Sequence, residues 1–205
     1  MSTSELPHGE QFLAALAHRR SMGLSRLKPD SVNLSLIEMM LKAADWAPSH
    51  GDTEPWRYSV FMGEGRNKLA DLFESSHLQD AGAEAKPEIR EALRNRAFAA
   101  PVWISIAMSP MLTNEGEMKM TEEEELMAVA CSVQNLHLMA NTLGLAGMWH
   151  SKGISVHPAV AEGLGLEAPA RLLGFFMCGW PNCDWPEGER RPIEEKVQWI
   201  TKVTS

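Results

Sequence analysis

Apolar residues recur at helical spacing in the first part of the chain. In residues 10–19 the pattern ends at the polar run Arg19-Arg20-Ser21, which predicts a short helix with two arginines at its end. A second helical pattern covers residues 34–44. It must end before Pro48, because a residue that precedes proline avoids the helical region of backbone space.

The longest helical pattern lies in the second half of the chain. Thr121 and Glu124 form a T-x-x-E capping box, which marks the start of a helix, and Gly144 marks its end. The apolar stripe between them consists of Leu126, Val129, Val133, Leu136, Ala140 and Leu143. We therefore expect one long central helix of roughly 20 residues or more.

Other segments have the patterns of strands. Residues 56–61 (WRYSVF) alternate, which predicts a strand with one buried face formed by Trp56, Tyr58 and Val60. The nearly continuous apolar run at 102–108 (VWISIAM) is typical of a central strand that is covered on both faces. Two more short strands are predicted at 146–149 and 172–179.

The order of the predicted elements indicates the fold class. Shorter helices are expected near 67–73, at 87–99 and within the HPAVAEGLG segment, and the polar segment 74–86 is interpreted as a mobile flap. Helices and strands do not alternate with the spacing of βαβ units, which favours an α+β fold. We expect one domain over 1–205, with 183–205 as an extended C-terminal arm.

Composition and charge narrow the range of partners. The formal net charge is -8, whereas nucleic acids and anionic membrane surfaces recruit clustered Lys and Arg, so no such partner is expected. The N-terminus lacks the pattern of a secretory signal, and no apolar run approaches membrane-spanning length. Three cysteines without C-x-x-C spacing indicate reduced thiols, so we expect a cytoplasmic protein.

Three kinds of chemical site have little support in the sequence. The histidines and cysteines lack the spacing of metal ligands, so no metal site is expected. Cys131 lies within the stripe of the long helix, which favours buried packing over a nucleophilic role. The glycines at 63–65 and 144–147 match neither G-x-G-x-x-G nor a P-loop.

Three polar segments together suit a ligand with a phosphate, a polar chain and a flat ring. They are Arg19-Arg20-Ser21, the loop APSHGDTEPW at 47–56, and GMWHSK at 147–152. Arginines provide forked cationic donors, and tryptophan provides an amphipathic wall. Two arginines at a helix end also complement the helix dipole, so the arginines alone are not diagnostic.

In their order and spacing these segments resemble the FMN-dependent nitroreductase family, in its small, compact branch. The matching motifs are R-R-S after the first helix, A-P-S-H-x-x-x-x-P-W after the second, G-x-W-x-S after the long helix, and the late strand LLGFFMCGWP. Together they cover about residues 10 to 182. Each motif is weak alone, but the ordered set is fairly specific.

The resemblance implies a nitroreductase-like α+β fold, with a central mostly antiparallel sheet flanked by helices and a long central helix at a homodimer interface. It also implies two FMN sites at that interface, hydride donation by NADH or NADPH, and a nitroaromatic, quinone or similar small molecule as acceptor. No side chain is named as catalytic, because the chemistry belongs to the cofactor. The implied cofactor-binding residues are Arg19, Arg20, Ser21, His50, Glu54, Trp149, His150, Ser151 and Lys152.

Two of these positions depart from the family's pattern. Compact relatives carry Gln at the position of Glu54 and Arg at the position of His150. Glutamine can donate a hydrogen bond to a flavin carbonyl, whereas an ionised glutamate cannot. Lys152 is a candidate replacement for the missing cation, although it lacks the bidentate fork of arginine. The alternative is therefore a nitroreductase-like protein with weakened flavin binding that acts as a binding or regulatory module.

Overall fold

The computed structural model describes residues 9–201 and contains a four-stranded sheet flanked by helices. The helices are α1 (Gly9–His18), α2 (Leu34–Asp45), α3 (Gly65–Ala81), α4 (Pro87–Phe98), α5 (Glu122–Thr142) and α6 (Pro158–Gly163). The strands are β1 (Trp56–Met62), β2 (Val102–Met108), β3 (Ala146–His150) and β4 (Arg171–Gly179).

The sheet has the order β1-β2-β4-β3, and each neighbouring pair is antiparallel. All seven residues of β2 are buried, as its continuous apolar run predicts for an inner strand. The combination of this antiparallel sheet with surrounding helices confirms the α+β class.

Both faces of the sheet are covered. On one face α2 and α5 pack in a core that includes Ile37, Val133 and Phe176. On the other face the core includes Phe73 and Trp103, with α3 and α6 packed close by. Strand β3 therefore lies between two helical layers, and its alternate side chains enter different layers.

The expectation of a single buried face on β1 is wrong. Trp56 packs in one core and Phe61 in the other, whereas Val60 is 36% exposed. Because helices cover both faces of the sheet, even the edge strand buries large residues on alternating sides.

The predicted flap at 74–86 is largely helical. The helix expected near 67–73 extends through Ala81 as α3, and its residue Glu74 is bound by Arg90 and Arg94 of α4 at 2.5 Å and 2.8 Å. These hydrogen bonds and the two guanidinium charges lower the pKa of the Glu74 carboxyl. Contacts with the next helix along the chain thus order a segment whose polarity predicts a loop.

The long helix α5 has the predicted start. Thr121 accepts a hydrogen bond from the backbone of Glu124, and the Glu124 carboxylate accepts one from the backbone of Thr121.

The prediction that Cys131 is buried is wrong, because this thiol lies on the exposed side of α5. Met127 lies on the same side and is 59% exposed. Within residues 9–201, no helix combines the length and apolarity that a membrane crossing requires.

Candidate functional site

Arg19-Arg20-Ser21 lies beside the start of β3. Ser21 forms an isolated parallel bridge with Gly147, and the amide of Met22 donates to the carbonyl of Gly147 over 2.9 Å. A Cβ atom at position 147 would lie 2.7 Å from the carbonyl oxygen of Met177, so only glycine fits there without displacement. Two of the three sequence-predicted segments therefore meet at this point.

His137 of α5 supports the backbone and the side chain of this segment. Its Nε2 donates to the carbonyl oxygen of Arg20 over 3.0 Å, which leaves Nδ1 as the acceptor for Arg19 Nη1 at 3.5 Å. Burial, and secondarily the charge of Arg19, lowers the pKa of His137 to about 4. His137 is therefore a neutral positioning residue near pH 7.

Three arginines concentrate positive charge here. Burial lowers the pKa of the Arg19 guanidinium, and the charges of Arg190 and Arg20 lower it further. Across residues 9–201, no carboxylate forms an ion pair with any of the three. Arg19 and Arg20 are half-buried, and Arg190 is exposed. Cations without acidic partners fit a phosphate, which charge-assisted hydrogen bonds would hold.

Arg20 also anchors the C-terminal arm. Its Nε donates to the carbonyl of Pro186 over 3.0 Å, and its Nη1 donates to the carbonyls of Ala17 and Arg19 at 2.7 Å and 2.6 Å. Nearby, the Trp185 ring stacks on that of His18 with centroids 4.9 Å apart. The arm thereby delivers Arg190, which the sequence interpretation missed; the basic pair Arg190-Arg191 in an otherwise acidic segment was the available signal.

The loop at 47–56 carries backbone strain. Asp52 and Glu54 have φ values of 53° and 43°, in the left-handed region that non-glycine residues avoid. The amide of Glu54 donates to Ser49 Oγ over 3.1 Å, which helps to hold this conformation. Strained residues persist where the surrounding structure over-determines them, and they cluster at functional sites.

His50 of the same loop is tied to the start of α5. Its Nδ1 lies 2.7 Å from Oε1 of Glu124. Hydrogen bonds from His50 and Thr121 hold the pKa of the Glu124 carboxyl at about 2. His50 is thus fixed at the N-terminal end of α5.

One copy of the chain does not bring the loop and the arginines together. His50 contacts α5 at Glu124 and Arg19 contacts it at His137, and thirteen residues of α-helix span about 20 Å. The two groups lie toward opposite ends of the long helix.

The segment at 149–152 faces two layers. Trp149 packs against the core on the α5 side, and its indole nitrogen donates to the carbonyl of Leu173 over 3.0 Å. Trp149 and Ser151 line a cavity of about 660 Å³, which is within the range of small-ligand sites. His150 and Lys152 instead line a cavity of about 340 Å³ next to α4.

Glu54 lines a third cavity, of about 650 Å³, between the loop, β1 and α2. Lys42, Asp45 and Arg57 also line this cavity, so charges of both signs surround it. The structure thus distributes the nine predicted residues among separate regions of one copy of the chain.

The antiparallel sheet with helices on both faces is the α+β arrangement that the family resemblance implies. The chain belongs to the nitroreductase family, whose family model matches residues 16–180. The chain is 29% identical to the "Putative NAD(P)H nitroreductase YdjA" of Escherichia coli (strain K12) over 170 residues, which cover 83% of this chain and 88% of the relative.

Solved structures give the same result for the fold. A nitroreductase-like family protein from Bacillus cereus is 28% identical and has a TM-score of 0.77, with 96% of this chain and 100% of the other chain covered. The FMN-dependent nitroreductase NfnB from Mycobacterium smegmatis, solved with NADPH, has a TM-score of 0.67 at 18% identity, with 94% of this chain and 99% of that chain covered. The family resemblance drawn from the motifs is confirmed.

Proposed function

We propose that this protein is a cytoplasmic FMN-dependent oxidoreductase that takes hydride from NADH or NADPH and reduces a nitroaromatic, quinone or similar small acceptor by a ping-pong mechanism. The observation that carries the proposal is the group of arginines at positions 19, 20 and 190, which has no acidic ion-pair partner in the described chain. Ser21, which follows the first two, pairs with Gly147. When bound, FMN would supply the hydride chemistry, and the protein would bind and orient the cofactor.

The residues present fit the FMN phosphate. Arg19 and Arg190 would neutralise it, and the Ser21 hydroxyl would bind the phosphate or the adjoining polar chain. Neutral His137 would keep Arg19 in place without adding a competing negative charge. Trp149, held at its indole nitrogen, would provide an apolar wall for the ring.

The separation of about 20 Å along α5 supports a site shared between two copies. In a two-fold homodimer with antiparallel α5 helices, the N-terminal half of one helix lies beside the C-terminal half of its copy. His50 and Glu54 of one protomer would then approach Arg19 of its partner. The exposed Met127 on α5 provides apolar surface for that contact.

A second candidate function is a nitroreductase-like binding module with weak flavin affinity. Two observations favour it. Arg20 already donates to three backbone carbonyls, which leaves fewer of its hydrogens for a phosphate. Glu54 places an exposed carboxylate where the family resemblance implies a neutral amide, and an ionised carboxylate cannot donate to a flavin carbonyl.

Flavin binding and turnover distinguish the two. Purified protein is supplied with FMN, dialysed, and examined for a bound flavin spectrum and quenched flavin fluorescence. The enzyme proposal expects one FMN per chain and oxidation of NADH or NADPH that depends on a quinone or nitroaromatic, with parallel lines in double-reciprocal plots. Soluble protein that retains no FMN would contradict it. Loss of FMN on dialysis would favour the binding module, and FMN retained without turnover by either donor would contradict the enzyme proposal as well.

A further inference from the structure

A small cavity next to α4 is lined by three basic side chains. Its lining consists of Leu93, Arg96, His150, Lys152, Gly153 and Ile154, and its volume is about 340 Å³. Arg96 comes from α4, whereas His150 and Lys152 come from the end of β3 and the turn after it. The tertiary structure therefore brings together cations that are more than fifty positions apart in sequence.

The charges in this cavity are unbalanced. The Nε of Arg96 is buried without a hydrogen-bond partner, although its guanidinium lies 5.9 Å from the centroid of the Trp103 ring. Neither Arg96 nor Lys152 forms an ion pair with a carboxylate in the part of the chain that the structure describes. Burial lowers the pKa of Arg96, and burial followed by the charges of Arg96 and Lys152 lowers that of His150.

His150 can add a donor to an anion bound in this cavity. Its Nδ1 is 2.8 Å from Oγ of Ser155, which is fully buried. If Ser155 donates to Nδ1, the neutral ring carries its hydrogen on Nε2. That hydrogen would supplement the donors of Arg96 and Lys152.

The cavity lies on the other side of the sheet from the arginines at positions 19, 20 and 190, here called the Arg19 group. Trp149 packs with the core on the α5 side, where Arg19 contacts His137. His150 is the next residue of β3, so its side chain points to the opposite face. Arg96 lies over Trp103, which belongs to the core on that face.

We propose that this cavity binds a phosphate group, held by Arg96 and Lys152 and contacted by His150. Two permanent cations match the charge of a phosphate monoester, which is about -1.5 to -2 near neutral pH. The guanidinium supplies a fork of donors, and the ammonium adds a point charge. The family resemblance implies flavin contacts for His150 and Lys152, whereas their cavity lies on the opposite face of the sheet from the Arg19 group. The site therefore goes beyond the proposed function.

The phosphate has two possible sources, which share this chemistry: free inorganic phosphate, or the 2′-phosphate that distinguishes NADPH from NADH. Isothermal titration of the FMN-loaded protein with inorganic phosphate, at constant ionic strength in chloride, tests for the site. We expect saturable binding of one phosphate per chain. Lys152→Gln should weaken it by about tenfold or more, because it removes a charge-assisted contact.

The matched control is Lys68→Gln, which removes the same charge from an exposed position on α3. It should leave phosphate affinity unchanged. Arg96→Gln should also lose binding, and Arg96→Lys should retain part of it. If the Arg96 variants fail to fold, Lys152→Gln carries the test, because its side chain is exposed and removes no core packing.

Competition identifies the source. If NADP⁺ displaces phosphate and NAD⁺ does not, the ligand is the 2′-phosphate. If neither nucleotide displaces it, the ligand is free phosphate.

The proposal is overturned if no saturable binding occurs, or if Lys152→Gln and Lys68→Gln bind phosphate alike. In flavin-free protein, loss of binding in Arg19→Gln but not in Lys152→Gln would also overturn it. A chain that binds phosphate here but retains no FMN would contradict the proposed function alone.

Discussion

Acidification should destabilise this protein through His137. The residue is only 6% exposed, and burial followed by the charge of Arg19 lowers its pKa to about 4. In the unfolded chain an ordinary histidine has a pKa near 6.5, so the unfolded state takes up the proton first. The free energy of unfolding therefore falls as the pH drops from about 6.5 toward about 4.

The size of the effect follows from the two pKa values. Between about pH 7 and pH 5, protonation of the unfolded state lowers the free energy of unfolding by about 2 kcal/mol. For a chain of this length that loss corresponds to a fall of roughly 4 to 8 °C in Tm. The loss stops growing below the folded pKa, where both states are protonated.

Urea unfolding at several pH values, on the parent and on His137→Gln, measures this contribution. Glutamine can still donate to the Arg20 carbonyl and accept from Arg19, but it does not titrate. The parent should lose about 2 kcal/mol more than the variant over that pH window. His150, whose pKa is also lowered, contributes equally to both proteins and cancels in the difference.

Equal losses in the two proteins would refute this reasoning. The histidine would then either retain an ordinary pKa in the folded state or be exposed to solvent. An NMR titration of the His137 ring reports the folded-state pKa directly. It therefore shows whether equal losses come from an unshifted His137 pKa or from a separate change in the stability of the variant.

Three further predictions concern the flavin site and the core. Arg19→Ala should weaken FMN binding by roughly one to two orders of magnitude, measured by flavin fluorescence quenching, while the Tm of the flavin-free protein changes little. Glu54→Gln should raise the flavin potential in a redox titration, because a unit charge about 6 Å from the reduced ring costs up to about 3 kcal/mol at a dielectric of about 20. Ser132→Ala should cost about 1 to 3 kcal/mol in urea unfolding, because Ser132 links the Tyr58 hydroxyl at 2.6 Å to the Ala44 carbonyl at 2.7 Å.

Local patterns in the sequence were enough to define most of the elements. The capping box at Thr121 and the glycine at 144 bound α5, because a helix end is determined by a few neighbouring residues. The apolar run at 102–108 identified β2 as an inner strand, because only a strand covered on both faces is apolar throughout. Ordered motifs also led to the correct family.

The wrong predictions share a physical cause. The exposed face of α5 around Cys131, the second half of α3 and the burial of Phe61 on β1 all depend on which element packs against which side. Sequence periodicity defines a face but does not say whether another element covers it.

For the site, the sequence shows which residue types are available: adjacent arginines after α1, a constrained polar loop, and Trp149 near the end of β3. Which charges meet depends on the packing of the folded chain. It placed Arg190 from the arm beside Arg19, and Arg96 of α4 beside His150. Such clusters join residues that are distant along the chain, and Coulomb interactions depend on separation in space, which packing sets.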